Sequence, residues 1–219
     1  MKGEHPNKPA TARSNPYTRY PRATLWLIRS GELAVDDVLV EIPSFYIGKH
    51  PITNEQYEAF RPEHRRSACA LGDDDPVVEV SFEDARAYCE WYANLTGKYF
   101  RLPTVVEWEF ACRGGDTRHD FFDETAKDAD RYLWDQVNSS VARPVGLLEA
   151  NPVGLHDMLG NVWEWTTAIH STSTDRGPAP ILKGGSFRTH RNEMVAAVQR
   201  SADPHLRADD IGFRILRLL

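Results

Sequence analysis

Roughly half of this chain lacks the hydrophobic periodicity that marks helices and strands. Residues 116–152 hold Asp-rich turns, residues 166–180 are rich in Ser, Thr and Pro, and neither stretch contains a long periodic element. With 219 residues, of which 41% are hydrophobic, the chain can still bury one sizeable core. Long ordered loops in a compact domain usually bind a ligand or carry ions that hold them. We therefore expect one domain, residues 23–219, in which a small scaffold supports irregular loops.

The N-terminal segment, residues 1–22, is expected to be a loose arm. It contains four prolines and few large aliphatic residues. Such a segment cannot bury enough apolar surface to offset the entropy lost on ordering. After it, clusters of β-branched and aromatic residues between Gly and Pro stops predict short strands at residues 25–28, 38–42 and 45–47.

Three helices are predicted from capping signals at their N-termini. In each, a Ser or Thr precedes the helix and a residue with a carboxylate or amide side chain follows three positions later, the pattern of a capping box. The pairs are Thr53 with Gln56, Ser81 with Asp84, and Thr104 with Glu107. Gly97 suits the end of the second helix, and residues 114–115, both Gly, suit the end of the third.

Overall charge argues against nucleic acid and membrane partners. The chain has 26 basic and 32 acidic residues, a net charge of −6, whereas anionic polymers and lipid surfaces attract basic proteins. It also contains no 18-residue apolar run, and its N-terminus lacks the apolar core of a signal peptide. Residues 183–217 are more basic, with seven Lys/Arg against four Asp/Glu, which fits either a solvated surface or a local anion-tolerant face.

The three cysteines, Cys69, Cys89 and Cys112, have spacings that fit no CxxC zinc site. Three unpaired thiols favour a reducing compartment, so we expect a cytoplasmic protein. Cys89 falls on the apolar face of the second helix and Cys112 at the end of the third, which predicts structural thiols. Cys69 lies in a polar stretch and is expected to be the most accessible of the three.

Several motifs follow one another along the chain: residues 47–57, 76–91, 100–115, the Gly-rich run 154–165, Lys183-Gly-Gly-Ser-Phe187 and Ile211-Gly-Phe-Arg-Ile215. In this order they resemble the formylglycine-generating enzyme (sulfatase-modifying factor) family. The resemblance covers most of residues 40–217. It implies an α+β (mixed α/β) fold, a variant of the C-type lectin fold that is rich in irregular loops.

The chain departs from this family at the residues that carry its oxidase chemistry. The family uses the Ser of Gly-Gly-Ser and two following cysteines that bind copper(I) and the substrate thiol. Ser186 matches the serine, but no cysteine follows Cys112. Copper(I) needs soft thiolate or thioether ligands, and Met194 alone is a poor substitute. We therefore expect neither copper binding nor formylglycine generation. The spacing of His190 and Glu193 also lacks the second histidine of an iron site, so iron is not expected.

Two carboxylates in the Gly-rich run raise the question of a calcium site. Asp157 and Glu164 lie seven residues apart around a turn, a plausible oxygen cage for Ca²⁺. In the simpler interpretation, Asp157 caps a turn and Glu164 is a satisfied buried group. The resemblance implies a structural Ca²⁺ held by the Asp157 and Glu164 side chains and by the carbonyls of Gly160 and Val162.

Polar residues between the last two motifs form either an ordinary solvated loop or a recognition surface. The candidate ligand-binding residues are Trp163, Arg188, Thr189, His190, Arg191, Asn192, Arg207 and Asp209. In variable proteins of diversity-generating retroelements, the same fold presents changing side chains at the corresponding place. Arg200 and Arg214, by contrast, are predicted to tie loops to the core through carboxylates or carbonyls.

Three functions are compatible with these patterns. The first is a domain without the family's chemistry that binds a small-molecule ligand or a protein partner through loops 183–214. The second is an oxidoreductase with altered chemistry at the same groove, with Ser186, His190 and Trp163 as catalytic candidates. The third is an accessory subunit that completes the active site of a partner enzyme.

Overall fold

The structure, a computed structural model, describes residues 21–35, 38–114, 126–168 and 180–219. The predicted arm therefore lies outside the described residues except for residues 21–22. The Arg22 carbonyl accepts a hydrogen bond of 3.3 Å from Gln56 Nε2. The backbone N–H of the following residue, Ala23, donates to the Tyr92 hydroxyl at 3.2 Å. Within the described residues, no helix is long and apolar enough to cross a membrane.

The described residues contain four α-helices: α1 Asn54–Glu58, α2 Phe82–Thr96, α3 Val105–Cys112 and α4 Ala126–Tyr132. The first three begin at the predicted capping boxes, with both reciprocal hydrogen bonds formed in each. Helix α2 ends at Gly97 as predicted, whereas α3 ends at Cys112, two residues before the predicted Gly114. Helix α4 was not predicted, because its seven residues are mostly polar and carry no apolar stripe.

The first sheet contains both ends of the described chain. Its strands are β1 Leu25–Ile28, β4 Phe45–Gly48, β5 Phe100–Arg101 and β10 Leu216–Leu218, in the order β1-β4-β10-β5, all antiparallel. Strands β2 Gly31–Val35 and β3 Val38–Ile42 form a separate antiparallel pair. The sequence predicted β1, β3 and β4 but missed β2, which includes a Gly and a Glu and has no clean alternation.

The second sheet is built almost entirely from the C-terminal third of the chain. Its strands are β6 Trp163–Thr167, β7 Pro180–Lys183, β8 Gln199–Ser201 and β9 Ile211–Gly212, in the order β8-β7-β6-β9. Strands β6 and β9 pair in parallel and the other pairs are antiparallel. Because β9 belongs to this sheet and β10 to the first, residues 211–218 link the two sheets.

A buried ion pair lies where the two sheets meet. Arg214, between β9 and β10, donates from Nε and Nη2 to the Glu164 carboxylate of β6 at 2.7 and 2.6 Å. The two side chains are 0% and 1% exposed. The remaining guanidinium hydrogen bonds go to the carbonyls of Gly48, His156 and Asp157, so Arg214 joins β4 and the Gly-rich run to β6. The prediction that Arg214 ties loops to the core is confirmed.

We expect Glu164→Gln to lower the free energy of unfolding by about 3–5 kcal/mol, because it leaves a buried guanidinium without a counter-charge. Both proteins are measured in EDTA, so that a metal ion bound to Glu164 does not contribute to the difference. Urea denaturation provides the measurement. The matched control is Glu83→Gln on the pair Arg86–Glu83, whose side chains are 46% and 51% exposed, and it should change stability by no more than about 1 kcal/mol. Similar small losses in both variants would contradict a structural role for the buried pair.

Candidate functional site

The Gly-Gly-Ser turn follows directly after strand β7 and fixes the position of Ser186. Gly184 and Gly185 have φ angles of 93° and 77°, in the left-handed region that favours glycine. A Cβ atom at Gly184 would lie 2.8 Å from the Met158 carbonyl oxygen and 3.0 Å from the Trp108 ring. A larger residue at Gly184 would therefore displace the turn and Ser186 with it.

Ser186 connects the start of the C-terminal loops to their end. Its hydroxyl donates to Asp210 Oδ2 at 2.8 Å and accepts a hydrogen bond from the Arg188 backbone N–H at 3.2 Å. Ser186 is fully buried and Asp210 is 9% exposed. The pair thus holds the loop 187–210 closed at its base.

A cavity of about 420 Å³ lies beside this pair. Five of the predicted site residues line it: Trp163, Ser186, Arg188, Thr189 and His190. Four further lining residues were not among the predicted site residues: Gln136, Glu193, Arg200 and Asp210. Asp210 could have been found, because it immediately precedes the Ile-Gly-Phe-Arg motif, whereas no sequence signal marks Gln136.

Arg200 forms one wall of the cavity together with Trp163. The guanidinium of Arg200, on the edge strand β8, lies 4.8 Å from the centre of the Trp163 ring. Within the part of the chain that the structure describes, this guanidinium has no hydrogen bond and no ion pair. The prediction that Arg200 ties a loop to the core through carboxylates or carbonyls is therefore wrong: the side chain stacks on an indole ring at the rim.

Arg188 is held at the cavity mouth by an acidic residue and a thiol. Its Nη2 donates to Asp209 Oδ2 at 2.6 Å and lies 3.7 Å from Cys69 Sγ. The Cys69 thiol donates to the same Asp209 oxygen at 3.4 Å. Burial, followed by the hydrogen bond to Asp209, raises the pKa of Cys69. Asp209 therefore acts on the site through Arg188 and does not itself line the cavity.

Arg191 has a structural role that its position in the loop did not reveal. Its Nε donates to the fully buried Asp135 at 2.7 Å and its Nη2 to Asp130 at 2.8 Å, leaving the side chain 13% exposed. Asp135 also accepts the backbone N–H groups of Val137 and Asn138. The predicted ligand-binding role of Arg191 is therefore corrected: its guanidinium fastens the loop to residues 130–138.

The remaining candidates divide between the cavity and its surroundings. His190 Nδ1 accepts the backbone N–H of Asn192 at 3.3 Å, so a neutral ring carries its proton on Nε2. Asn192 is exposed but does not line the cavity. Arg207 pairs with Asp84 and donates to the Glu79 carbonyl, away from the cavity.

The arrangement does not make Ser186 a nucleophile activated by His190. The hydroxyl proton of Ser186 points to Asp210, and no hydrogen bond joins Ser186 to His190. An activated serine needs its base within hydrogen-bond reach. Met194 is buried in the core next to the Gly185 turn, so its thioether does not enter the cavity either. The cavity therefore lacks a serine–histidine pair, and the base within reach of Ser186 is the Asp210 carboxylate.

Two of the predicted calcium ligands, Asp157 and Glu164, contact Arg214. The Glu164 carboxylate receives two hydrogen bonds from Arg214 and one of 2.7 Å from the Trp108 indole N–H. Asp157 is buried, and its carboxylate accepts the Gly146 N–H at 2.7 Å and the Asn161 amide at 3.4 Å. Burial raises the pKa of Asp157, since these contacts compensate its charge incompletely. The residues thus fit a cation in part: Asp157 lacks a full counter-charge, whereas Glu164 already has one.

The sequence profile described as the sulfatase-modifying factor enzyme 1-like domain matches residues 14–219. This chain belongs to that family. It is 31% identical over 180 residues to the mouse formylglycine-generating enzyme, a match that covers 70% of this chain and 47% of the mouse protein. With the formylglycine-generating enzyme of Streptomyces coelicolor the identity is 34% over 183 residues, covering 70% of this chain and 56% of that protein. The chain thus spans about half the length of these relatives.

Solved structures share the same fold. Treponema denticola variable protein 1 superposes with a TM-score of 0.76 at 21% identity, covering 90% of this chain and 95% of that one. PvdO from Pseudomonas aeruginosa gives a TM-score of 0.74 at 20% identity, covering 89% and 94%. The mixed α+β fold of the formylglycine-generating enzyme family, expected from the motifs, is confirmed. At these identities, the structural likeness establishes fold alone.

We expect Cys69 to react first when the folded protein is treated with iodoacetamide, because Cys89 and Cys112 are buried. Its labelling should be slow at neutral pH and accelerate as the pH rises, since the pKa of its thiol is raised and the thiolate is the reactive form. Asp209→Asn should speed labelling by removing a negative charge beside the sulfur. Mass spectrometry of timed samples measures the rates. Equal labelling of all three thiols in folded protein would contradict this placement.

Proposed function

We propose that this chain binds a small-molecule ligand or a protein partner in the cavity formed by loops 183–214, and that it does not carry out the copper-dithiolate chemistry of its family. The observation that carries the proposal is the cavity itself. It brings together five residues that the sequence marked as a candidate site, and it contains a guanidinium, that of Arg200, with no hydrogen bond or ion pair among the described residues. Such convergence of polar groups in a concave, partly aromatic site is typical of ligand binding.

The cysteine content supports the second half of the proposal. The curated relatives named formylglycine-generating enzymes suggest an oxidase, but this chain has no cysteine after Cys112. Cys69 is the one thiol near the cavity that could replace a missing cysteine of the family. It lies next to Arg188 and donates a hydrogen bond to Asp209. One thiol with a raised pKa does not replace a pair of thiolate ligands for copper(I). An oxidoreductase with different chemistry and an accessory subunit remain the alternatives that the experiments below can reveal.

We further propose that the Gly-rich run binds a structural Ca²⁺ ion through Asp157, Gly160, Val162 and Glu164. The support is the buried and incompletely compensated carboxylate of Asp157 together with the family's ligand pattern. Glu164 Oε1 accepts one hydrogen bond, from Arg214, and so keeps a lone pair for a cation. An ion at this place would bind carboxylate and carbonyl oxygens, as Ca²⁺ prefers, and would fix the run that underlies the cavity.

If this ion is bound, EDTA should lower the melting temperature of the purified protein, and added Ca²⁺ should restore it. Asp157→Asn keeps an acceptor for the Gly146 N–H but removes the charge, so it should abolish the response to EDTA while leaving the Arg214–Glu164 pair intact. Differential scanning calorimetry with and without chelator measures the effect, and elemental analysis counts the metal. A melting temperature that is identical with and without EDTA in a protein loaded with Ca²⁺ would refute the proposed ion.

The loop residues should separate into binding and structural groups. We expect the triple variant with Arg188, His190 and Asn192 changed to Ala to lose less than about 1.5 kcal/mol of stability, since these side chains are exposed. Arg191→Ala should cost about 2–3 kcal/mol, because it leaves the buried Asp135 without its cation, although two backbone N–H groups still bond to it. Urea denaturation of the two variants tests the division.

Binding is tested with a library of small metabolites screened by thermal shift against the wild type, the triple variant and a control. The control carries Glu90→Gln and Lys98→Gln, two exposed positions outside the cavity. Compounds that use the cavity should stabilise the wild type and the control but not the triple variant. A turnover lost in Ser186→Ala and retained in the triple variant would instead support the enzyme alternative. Compounds that stabilise all three proteins and also an Arg200→Gln variant equally would overturn the cavity as the binding site.

A further inference from the structure

We propose that the cavity binds a small zwitterionic ligand, with a cationic nitrogen at Asp210 and a carboxylate at Arg200. Free α-amino acids and short peptides with free termini belong to this class. The inference rests on the proposed binding function and adds the chemical class of the ligand. It follows from two groups of opposite charge that line the same cavity and form no ion pair within 4 Å among the described residues.

Asp210 provides the negative group. It is 9% exposed, and one of its oxygens, Oδ2, accepts the hydroxyl proton of Ser186. Its other oxygen, Oδ1, has no hydrogen-bond partner among the described residues, and no Lys or Arg of that part of the chain forms an ion pair with it. A carboxylate so nearly buried is costly to leave uncompensated. An ammonium group in the cavity would supply both the missing charge and the missing hydrogen bond.

Arg200 provides the positive group. Its guanidinium carbon lies 4.8 Å from the centre of the Trp163 ring, and its N–H donors have no acceptor among the described residues. A guanidinium binds a carboxylate with two parallel hydrogen bonds. Stacking on the indole restricts the side chain before a ligand arrives, which reduces the entropy lost on binding.

The other charged groups of the cavity do not provide an equivalent pair. Arg188 is already bound to Asp209 at 2.6 Å, so it contributes less to an incoming anion. Glu193 and Arg200 are both exposed at the rim, where water screens their charge, but the Arg200 guanidinium is also held against the Trp163 ring. A purely anionic ligand would have to approach the unpaired Asp210 carboxylate, whereas a purely cationic ligand would leave Arg200 unused.

The volume sets the size of the ligand. At about 420 Å³ the cavity falls near the lower end of pockets that bind small molecules, roughly 300–1,000 Å³. This space suits an amino acid or a dipeptide better than a nucleotide cofactor. The Nε2–H of a neutral His190 and the side chain of Gln136 line the remainder of the cavity, where the ligand's own side chain would lie.

The test removes each charge of the ligand by chemical modification and, separately, removes the protein side chain proposed to bind that charge. The probes are the twenty common L-amino acids and the dipeptides Gly-Gly, Ala-Ala and Phe-Gly, each compared with its N-acetyl and its C-terminal amide form by isothermal titration calorimetry. The variants are Asp210→Asn, which still accepts the Ser186 proton, and Arg200→Gln. The control variants are Glu90→Gln and Lys98→Gln, which are exposed and outside the cavity.

We expect at least one free zwitterion to bind the wild type and both controls, and its N-acetyl and amide forms to bind at least tenfold more weakly. Asp210→Asn should abolish the preference for the free amine over the N-acetyl form, and Arg200→Gln should abolish the preference for the acid over the amide. Each variant should leave the other preference in place, a pattern that a general loss of structure would not produce.

The outcomes separate this inference from the proposed function. If no zwitterion binds, but library compounds of a single charge bind in a way that the triple loop variant abolishes, the zwitterion class is wrong and the binding site stands. If no probe or library compound depends on any cavity residue, both are wrong.

Discussion

The ion pair between Arg214 and Glu164 is the contact on which the arrangement of the two sheets depends. Glu164 belongs to the second sheet, and Arg214 lies in the short segment that crosses from that sheet to the first. Its guanidinium also bonds to the carbonyl of Gly48 in the first sheet and to those of His156 and Asp157 in the Gly-rich run. Because a buried guanidinium must have all its donors satisfied, this one residue fixes three parts of the chain relative to each other.

The cavity is built on this junction, and its side chains divide by what they contact. Ser186 and Asp210 close the base of the loop, and Arg191 fastens its middle to the buried Asp135. Arg188, His190 and Arg200 project at the rim and carry little of the structure. Loops that support function need such a division, since residues that hold the backbone cannot also rearrange around a ligand.

The sequence predicted what depends on local signals. Capping boxes at Thr53, Ser81 and Thr104 are set by residues three apart, and all three formed. Strands β8 and β9 contain three and two residues, too few for a hydrophobic pattern, and they exist because of pairing with distant segments. Arg191 was assigned to recognition for a similar reason, because its partner Asp135 lies 56 residues earlier and no local pattern joins them. Five of the candidate residues line one cavity, whereas the partners of its charged residues could be identified only from the fold.

Strands β7 and β9 both pair with β6, one on each side. The two ends of the segment 184–210 are therefore anchored about two strand spacings apart, roughly 10 Å, on a single rigid element. The distance between the two ends of this segment is therefore set by the sheet and not by the segment's own residues. Strand β8 and the Arg191–Asp135 ion pair also fasten the middle of this segment, so its length and side chains can vary freely only between these fixed contacts.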